Sequence, residues 1–304
     1  MKNFRKPVTV VESVSINRGN SFIKDLGLLF KFRLSFVVVL SSVLAYMIAA
    51  PNITAAGLIL LWIGGFCVTA AANALNQILE REYDGLMVRT AGRPVAAGRM
   101  SVSSALIAAG LLCLVGFVIL SAFNPITGFL GMVALISYSF IYTPLKRVTP
   151  LAVTVGAFPG ALPVIIGVTA ATGEITALAA SLFAIQFLWQ FAHFWAIAWL
   201  ADDDYKKAGF YLLPGTSGKK DNSVGWHSFS YSILLVPFSF LPWLFGFTSL
   251  FSCILAAAIA VWYCYMALLF AKEANDSTAR KLMFSSFIYL PLVLIIFLLD
   301  KIIF

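Results

Sequence analysis

The chain has 304 residues, 61% of them hydrophobic and only 11% charged, with a net charge of +8. A mean hydropathy of +0.94 excludes an ordinary soluble domain. The basic excess belongs to loop topology and anionic headgroups, and nothing in it calls for nucleic acid.

Residues 1 to 33 are basic but also carry Glu12 and Asp25, and they lack the short apolar core and small-residue cleavage site of a secretory signal. They read as a retained cytoplasmic arm, with a single transmembrane domain over 34 to 304. Apolar runs at 34 to 51, 55 to 76, 104 to 122, 125 to 143, 150 to 170, 177 to 200, 227 to 247, 249 to 271 and 282 to 300 have the length a bilayer crossing needs. The fold class is therefore all-α, polytopic, with about nine transmembrane helices. Placing those nine in alternation leaves every Lys and Arg except Lys301 on one side, the cytoplasmic side of an inner membrane. Cys67, Cys113, Cys253 and Cys264 all lie inside spans and show no metal or haem-attachment spacing, so they read as packing residues.

Three loop segments on the basic side carry chemistry. After the second span, Asn76, Glu80 and Asp84 recur every four residues and form one helical stripe, with Asn73 and Gln77 beside it. Carboxylates at membrane depth point to a cation, and hard oxygen ligands of this kind suit Mg²⁺ bridged to substrate phosphates. Arg89 and Arg93 follow at once, and the guanidinium fork matches phosphate oxygens.

The second segment, after the fourth span, holds Tyr142, Lys146 and Arg147, a confined cation pair that suits an anionic headgroup or simply anchors two helices. In the third, Gln186, Gln190 and His193 share a face of the sixth span, and Asp202, Asp203 and Asp204 follow it. A His in such a stripe is a ligand, a base or a satisfied core residue. The acidic triplet is either a second metal cradle or a helix end in water. The acidic runs at 80 to 84 and 202 to 204 lie about one four-helix unit apart, which hints at an internal duplication with the site between the halves. Together the segments describe a site for Mg²⁺ and a diphosphate with a lipid-soluble tail.

The Asn76, Glu80, Asp84 motif, the Tyr142 to Lys146 segment and the Asp203, Asp204 pair resemble the UbiA-type intramembrane prenyltransferases. The strings MVRTAGRP at 87 to 94 and WQFAHFWAIAWLADDDYKKAGFYLLP at 189 to 214 resemble, more particularly, the branch that farnesylates haem B. That resemblance implies nine helices around a central cavity, and a reaction in which the farnesyl group of farnesyl diphosphate joins a haem vinyl group and water completes haem O. It implies Mg²⁺ as cofactor on Asn76, Glu80, Asp84, Asp203 and Asp204, with Asn76, Glu80, Asp84 and His193 as the catalytic set. Arg89, Arg93, Tyr142, Lys146, Arg147, Gln190 and His193 would bind the diphosphate or the haem. The expected partners are farnesyl diphosphate, haem B and the lipid bilayer, with a downstream haem A synthase or oxidase assembly factors as further candidates. Competing expectations are a quinone-precursor prenyltransferase, which would carry an acid where His193 stands, and a transporter or haem-binding assembly factor.

Overall fold

A computed structural model describes residues 22–214 and 220–303. Most of the expected arm, residues 1 to 21, lies outside the described residues. Within its described part, Phe22–Leu29 forms a short helix, α1. Asp25 on α1 is buried against Arg99, whose guanidinium Nη2 approaches to 2.8 Å. The turn after α1 places Lys31 in the left-handed region at φ 46°, and α2 (Phe32–Ala49) begins there.

The remaining spans are α3 (Ala55–Leu79), α5 (Val102–Ser121), α6 (Pro125–Ile136) with its continuation to Leu145, α8 (Ala152–Thr172), α9 (Ala177–Leu200), α11 (Asn222–Phe238), α13 (Leu250–Glu273) and α14 (Asp276–Ile303). Short helices interrupt this series: α4 (Arg81–Asp84), α7 (Thr143–Leu145), α10 (Asp202–Lys207) and α12 (Leu241–Leu244). Among the described residues nine helices are long and apolar enough to cross a membrane, matching the nine expected runs. The chain is a multi-pass membrane protein. Its outer faces agree: Leu106, Ile107, Leu111 and Leu114 on α5 are each more than half exposed, which is stable only against lipid.

Sequential helices pack as neighbours, and α14 returns to α2, closing the bundle. Contacts of α2 with α8 and of α9 with α14 cross its interior. Small residues permit the closest crossings. A methyl group on Gly167 would collide with the backbone carbonyl of Ser42, so α8 and α2 touch main chain to main chain. The helix starts are capped by Thr54, Ser101, Asn124, Thr176, Asp221 and Ser249, each accepting a hydrogen bond from a backbone N–H two or three residues on.

Lys301, the exception to the charge alternation, has a structural task. Its ammonium donates to the carbonyls of Met47 and Ala50 at the end of α2. The adjacent Asp300 accepts from the Ser249 backbone N–H at 2.9 Å and from the Ser252 hydroxyl at 2.6 Å at the start of α13. The last turn of α14 thus satisfies orphan backbone groups at the ends of two other helices.

Candidate functional site

The stripe that spacing assigns to a single helix is bent. Helix α3 ends at Leu79, and Glu80 leaves the helical region at φ −99° and ψ 6° before α4 begins. The Asp84 backbone N–H still donates to the Glu80 carbonyl at 2.7 Å, so both carboxylates stay on one rim. The same device recurs one repeat later, where α9 ends at Leu200, Ala201 takes φ −105° and ψ 10°, and the acidic helix α10 follows. This local match favours the duplication expected from the acidic spacing.

Each polar member of the rim has its own cation. Glu80, almost fully buried, receives Lys146 Nζ at 2.7 Å. Asp84, fully buried, receives Arg93 Nη1 at 2.7 Å on both oxygens. Asn76 accepts from Lys31 Nζ at 3.2 Å while its amide donates to the Thr143 hydroxyl at 3.1 Å. Pairing is what makes burial of these charges tolerable.

The electrostatics follow from this crowding. Burial, reinforced by Arg93 and Lys146, pushes the Lys31 ammonium down to about 7. The Asp84 carboxyl is raised by burial, with Arg93 offsetting part of the effect. For Lys146, burial works downward but the adjoining Glu80 carboxylate outweighs it, and the net direction is upward.

Lys146 and Tyr142 owe their placement to a π-helical stretch, Ser137–Tyr142, which interrupts the fourth span and shifts its register. Lys146 Nζ lies 4.7 Å from the Tyr142 ring centre, a cation–π contact, and the ring fills the space a side chain on Gly156 would need. Arg147 is exposed and stacks 4.1 Å over Tyr83. A pocket of about 250 Å³ opens beside Arg147 and Tyr83, lined by Glu80, Ser139 and Thr143 together with the outward-facing Leu79 and Phe140. The buried Ser139 hydroxyl has no hydrogen-bond partner among the described residues, so a polar acceptor or donor in the pocket would satisfy it.

The third segment folds onto the other two. Asp204 accepts from the Arg89 backbone N–H at 3.2 Å, and the Arg89 guanidinium reaches the Tyr205 hydroxyl at 3.4 Å. The Tyr211 backbone N–H donates to the Lys146 carbonyl at 3.0 Å. Asp204 also pairs with Lys207, whose hydrogen bond holds its carboxyl below the usual carboxylate range. Asp203 is exposed, whereas Asp202 is buried and bound to Lys206 at 2.6 Å. The three segments therefore meet, with the acidic triplet spread around the rim: Asp204 inward on Arg89, Asp203 outward.

The stripe on α9 divides. Gln186 and Gln190 donate to the carbonyls of Gly160 and Ala157 on α8 at 2.8 and 3.1 Å, and Gln190 lies where a side chain on Gly160 would stand. Pro159 and Pro163 both lie inside α8 along this stretch. His193 turns instead to α14, where Nδ1 lies 2.7 Å from the Ser286 hydroxyl oxygen. A step of three residues rotates a helix by about 300°, enough for Gln190 and His193 to face different neighbours.

Oxygen donors on Asn76, Glu80 and Asp84 fit Mg²⁺ in kind, and the Lys and Arg nitrogens now against them occupy positions where positive charge is favoured. Among the described residues no three His, Cys, Asp or Glu side chains converge as a ready-made metal cage. A rim of two carboxylates and an amide is the sparse protein share expected when diphosphate oxygens and water complete the shell. Sequence reading missed Lys31, Ser139, Thr143 and Ser286 as neighbours of the site. Thr143 and Ser139 carried a usable signal, lying four residues apart beside Tyr142; the others reach the site only through tertiary folding.

Comparison with known proteins adds to this geometry. Residues 38–289 match the model of the UbiA prenyltransferase family. The chain is 46% identical over 274 residues to the protoheme IX farnesyltransferase of Cytophaga hutchinsonii, spanning 90% of this chain and 96% of that one. It is 42% identical over 290 residues to the protoheme IX farnesyltransferase of Christiangramia forsetii, spanning 94% and 96%. The fold is similar to a digeranylgeranylglyceryl phosphate synthase at a TM-score of 0.77 and 19% identity, over 93% of this chain and 99% of that one. A UbiA homolog from Archaeoglobus fulgidus bound to GPP and Mg²⁺ gives 0.65 at 13% identity, covering 90% and 99%.

Proposed function

The chain belongs to the UbiA prenyltransferase family and is a prenyltransferase, and from that premise we propose that it transfers the farnesyl group of farnesyl diphosphate to a vinyl group of haem B, with water added, to give haem O. The observation that carries this reading is the rim itself, where Asn76, Glu80 and Asp84 are matched by Lys31, Lys146 and Arg93. Relatives named protoheme IX farnesyltransferase, aligned over nine-tenths of the chain, support the choice of acceptor.

Asn76, Glu80 and Asp84 would hold Mg²⁺, with Asp204 or Asp203 contributing across the rim. The metal supplies positive charge to the diphosphate as its bond to the allylic carbon breaks. Lys146, Arg93 and Lys31 stand ready to release the carboxylates and the amide to the metal and to take up phosphate oxygens. Arg89 and Arg147 extend that positive surface, with Tyr142 supporting Lys146 from its ring face.

The allylic carbon–oxygen bond breaks with its electron pair leaving on diphosphate, and fixed charges aimed at that oxygen stabilise the departing group. The vinyl π electrons then form the new carbon–carbon bond to the farnesyl carbon. Water adds to the vinyl carbon left electron-deficient and loses a proton, giving the hydroxyethylfarnesyl side chain. Exclusion of water from the site would keep the allylic cation from premature capture.

The alternation of basic residues favours an inner-membrane protein with its N-terminus and the three segments in the cytoplasm. Residues 34 to 304 then act as one transmembrane domain with 1 to 33 as its arm. The reading is tested by incubating purified protein with haem B, farnesyl diphosphate and Mg²⁺ and following haem pigments by mass. A haem heavier by one farnesyl group and one hydroxyl is expected; prenylation of an aromatic acid instead would transfer the protein to the quinone branch.

A further inference from the structure

Helix α1 turns its carboxylate inward and its large apolar side chains outward. Asp25 and Leu29, four residues apart on one face, are buried, with Leu29 packed among Ala74, Val95, Met100 and Ala105. Phe22 is 69% exposed, Ile23 80% and Leu28 41%. A cluster of this kind, exposed to water, would be costly, and it marks a surface that meets another apolar phase.

Both ends of α1 are tied to span ends on a single side of the bundle. Near its start, Asp25 receives Arg99 Nε and Nη2, three residues before α5 opens at Val102. At its close, the Gln77 amide, two residues before the end of α3, donates to the carbonyls of Leu28 and Leu29 at 2.8 and 2.9 Å. The span α2 begins three residues further on, at Phe32. The helix therefore lies along the level at which three spans end, in the plane of the membrane surface. Its outward face runs on into Phe32, Leu34 and Phe36, which α2 presents to lipid. Lys24 and Arg33 are exposed beside that face, and residues 1 to 21 carry Lys2, Arg5, Lys6 and Arg18 against the single acid Glu12. Apolar residues bordered by basic ones match a headgroup layer that contains anionic lipid.

The turn that leaves α1 is gripped by the polar stretch of α3. Lys31 stands at φ 46°, and its Nζ reaches Asn76 Oδ1 at 3.2 Å. The Phe30 carbonyl accepts from the Ser35 hydroxyl at 2.7 Å, and the Ser35 oxygen accepts from the Asn73 amide at 3.1 Å. A left-handed lysine persists only where its surroundings enforce it. We propose that α1 is an in-plane helix docked through Phe22, Ile23 and Leu28 on the anionic phospholipid headgroups of that leaflet, and that this docking holds the turn which places Lys31 on Asn76. On the proposed reaction, the charge of the leaflet thereby bears on one of the three cations of the rim.

The test uses full-length protein in phosphatidylcholine vesicles with and without phosphatidylglycerol, carrying a fluorescent label on Ile23→Cys. Wild type labelled in parallel gives the background from Cys67, Cys113, Cys253 and Cys264. Lipids with a quencher near the headgroup should quench the Ile23→Cys label while aqueous iodide does not, and more fully with phosphatidylglycerol present. Glu82→Cys, at a side chain 73% exposed on α4, supplies the water-facing reference. Iodide quenching at Ile23→Cys equal to that reference would overturn the docking; equal lipid quenching in the two mixtures would overturn the preference for anionic lipid. Removing phosphatidylglycerol should speed hydrogen exchange of the Phe30 and Lys31 amides in the unsubstituted protein about fivefold, the attraction of one basic residue to an anionic surface. Ile23→Glu should speed the same amides in both mixtures, with exchange in the nine spans unchanged. Parental rates at Phe30 and Lys31 under both changes would overturn the hold on Lys31. Neither readout needs turnover, so the proposed reaction stands or falls separately.

Discussion

Individual side chains at the rim act as pairs, and that sets the expected cost of changing one. Glu80→Gln and Asp84→Asn each remove a carboxylate held at 2.7 Å by Lys146 or Arg93. Each should lower product formation by at least about 100-fold, a typical loss for one preorganised charge, with the protein still inserted. Ordinary turnover in either variant, measured as farnesylated haem per enzyme, would contradict the metal-holding role. Arg99→Ala offers a contrast away from the chemistry. It strips the buried Asp25 of its bidentate partner and frees α1 from the loop before α5. A loss of about 2 kcal/mol is expected for hydrogen bonds to a charged group, read as a lower midpoint in detergent thermal unfolding.

Helices and their interruptions decide what was legible beforehand. Apolar length located all nine spans, because crossing a bilayer demands it regardless of tertiary context. The i, i+4 spacing brought Asn76, Glu80 and Asp84 together even though the helix breaks at Glu80, since the backbone bond from Asp84 to Glu80 preserves one turn. The same rule grouped Gln190 with His193 too generously. Helical facing specifies direction but not neighbour, and α8 and α14 flank α9 on adjoining sides. Lys31 was invisible for another reason: its role depends on a left-handed turn between α1 and α2, a strained conformation for any residue but glycine that surrounding contacts must enforce.

Element packing yields a paired prediction. Gly167→Ala drives a methyl into the Ser42 carbonyl, with main chain on both sides and no flexible end to yield. It should cost about 1–3 kcal/mol as overpacking. Gly27→Ala on α1 meets open space and should stabilise by up to about 1 kcal/mol through helix propensity. Equal thermal shifts in the two variants would contradict the close α2–α8 crossing.

For the whole molecule, charge and connectivity converge on one end. Three loops lying up to 115 residues apart are joined by Arg89 to Asp204, Lys146 to Glu80 and Tyr211 to Lys146. The opposite end is closed by Asp300 and Lys301 acting as helix caps. One end is thus rich in charge and polar recesses, while the other is a structural seam. The most direct measurement is the assay of purified protein with haem B, farnesyl diphosphate and Mg²⁺, with and without EDTA, resolved by chromatography and mass. A more hydrophobic haem that forms only with free Mg²⁺ is the expected result; haem B recovered unchanged by active, folded protein that prenylates another acceptor would contradict the account.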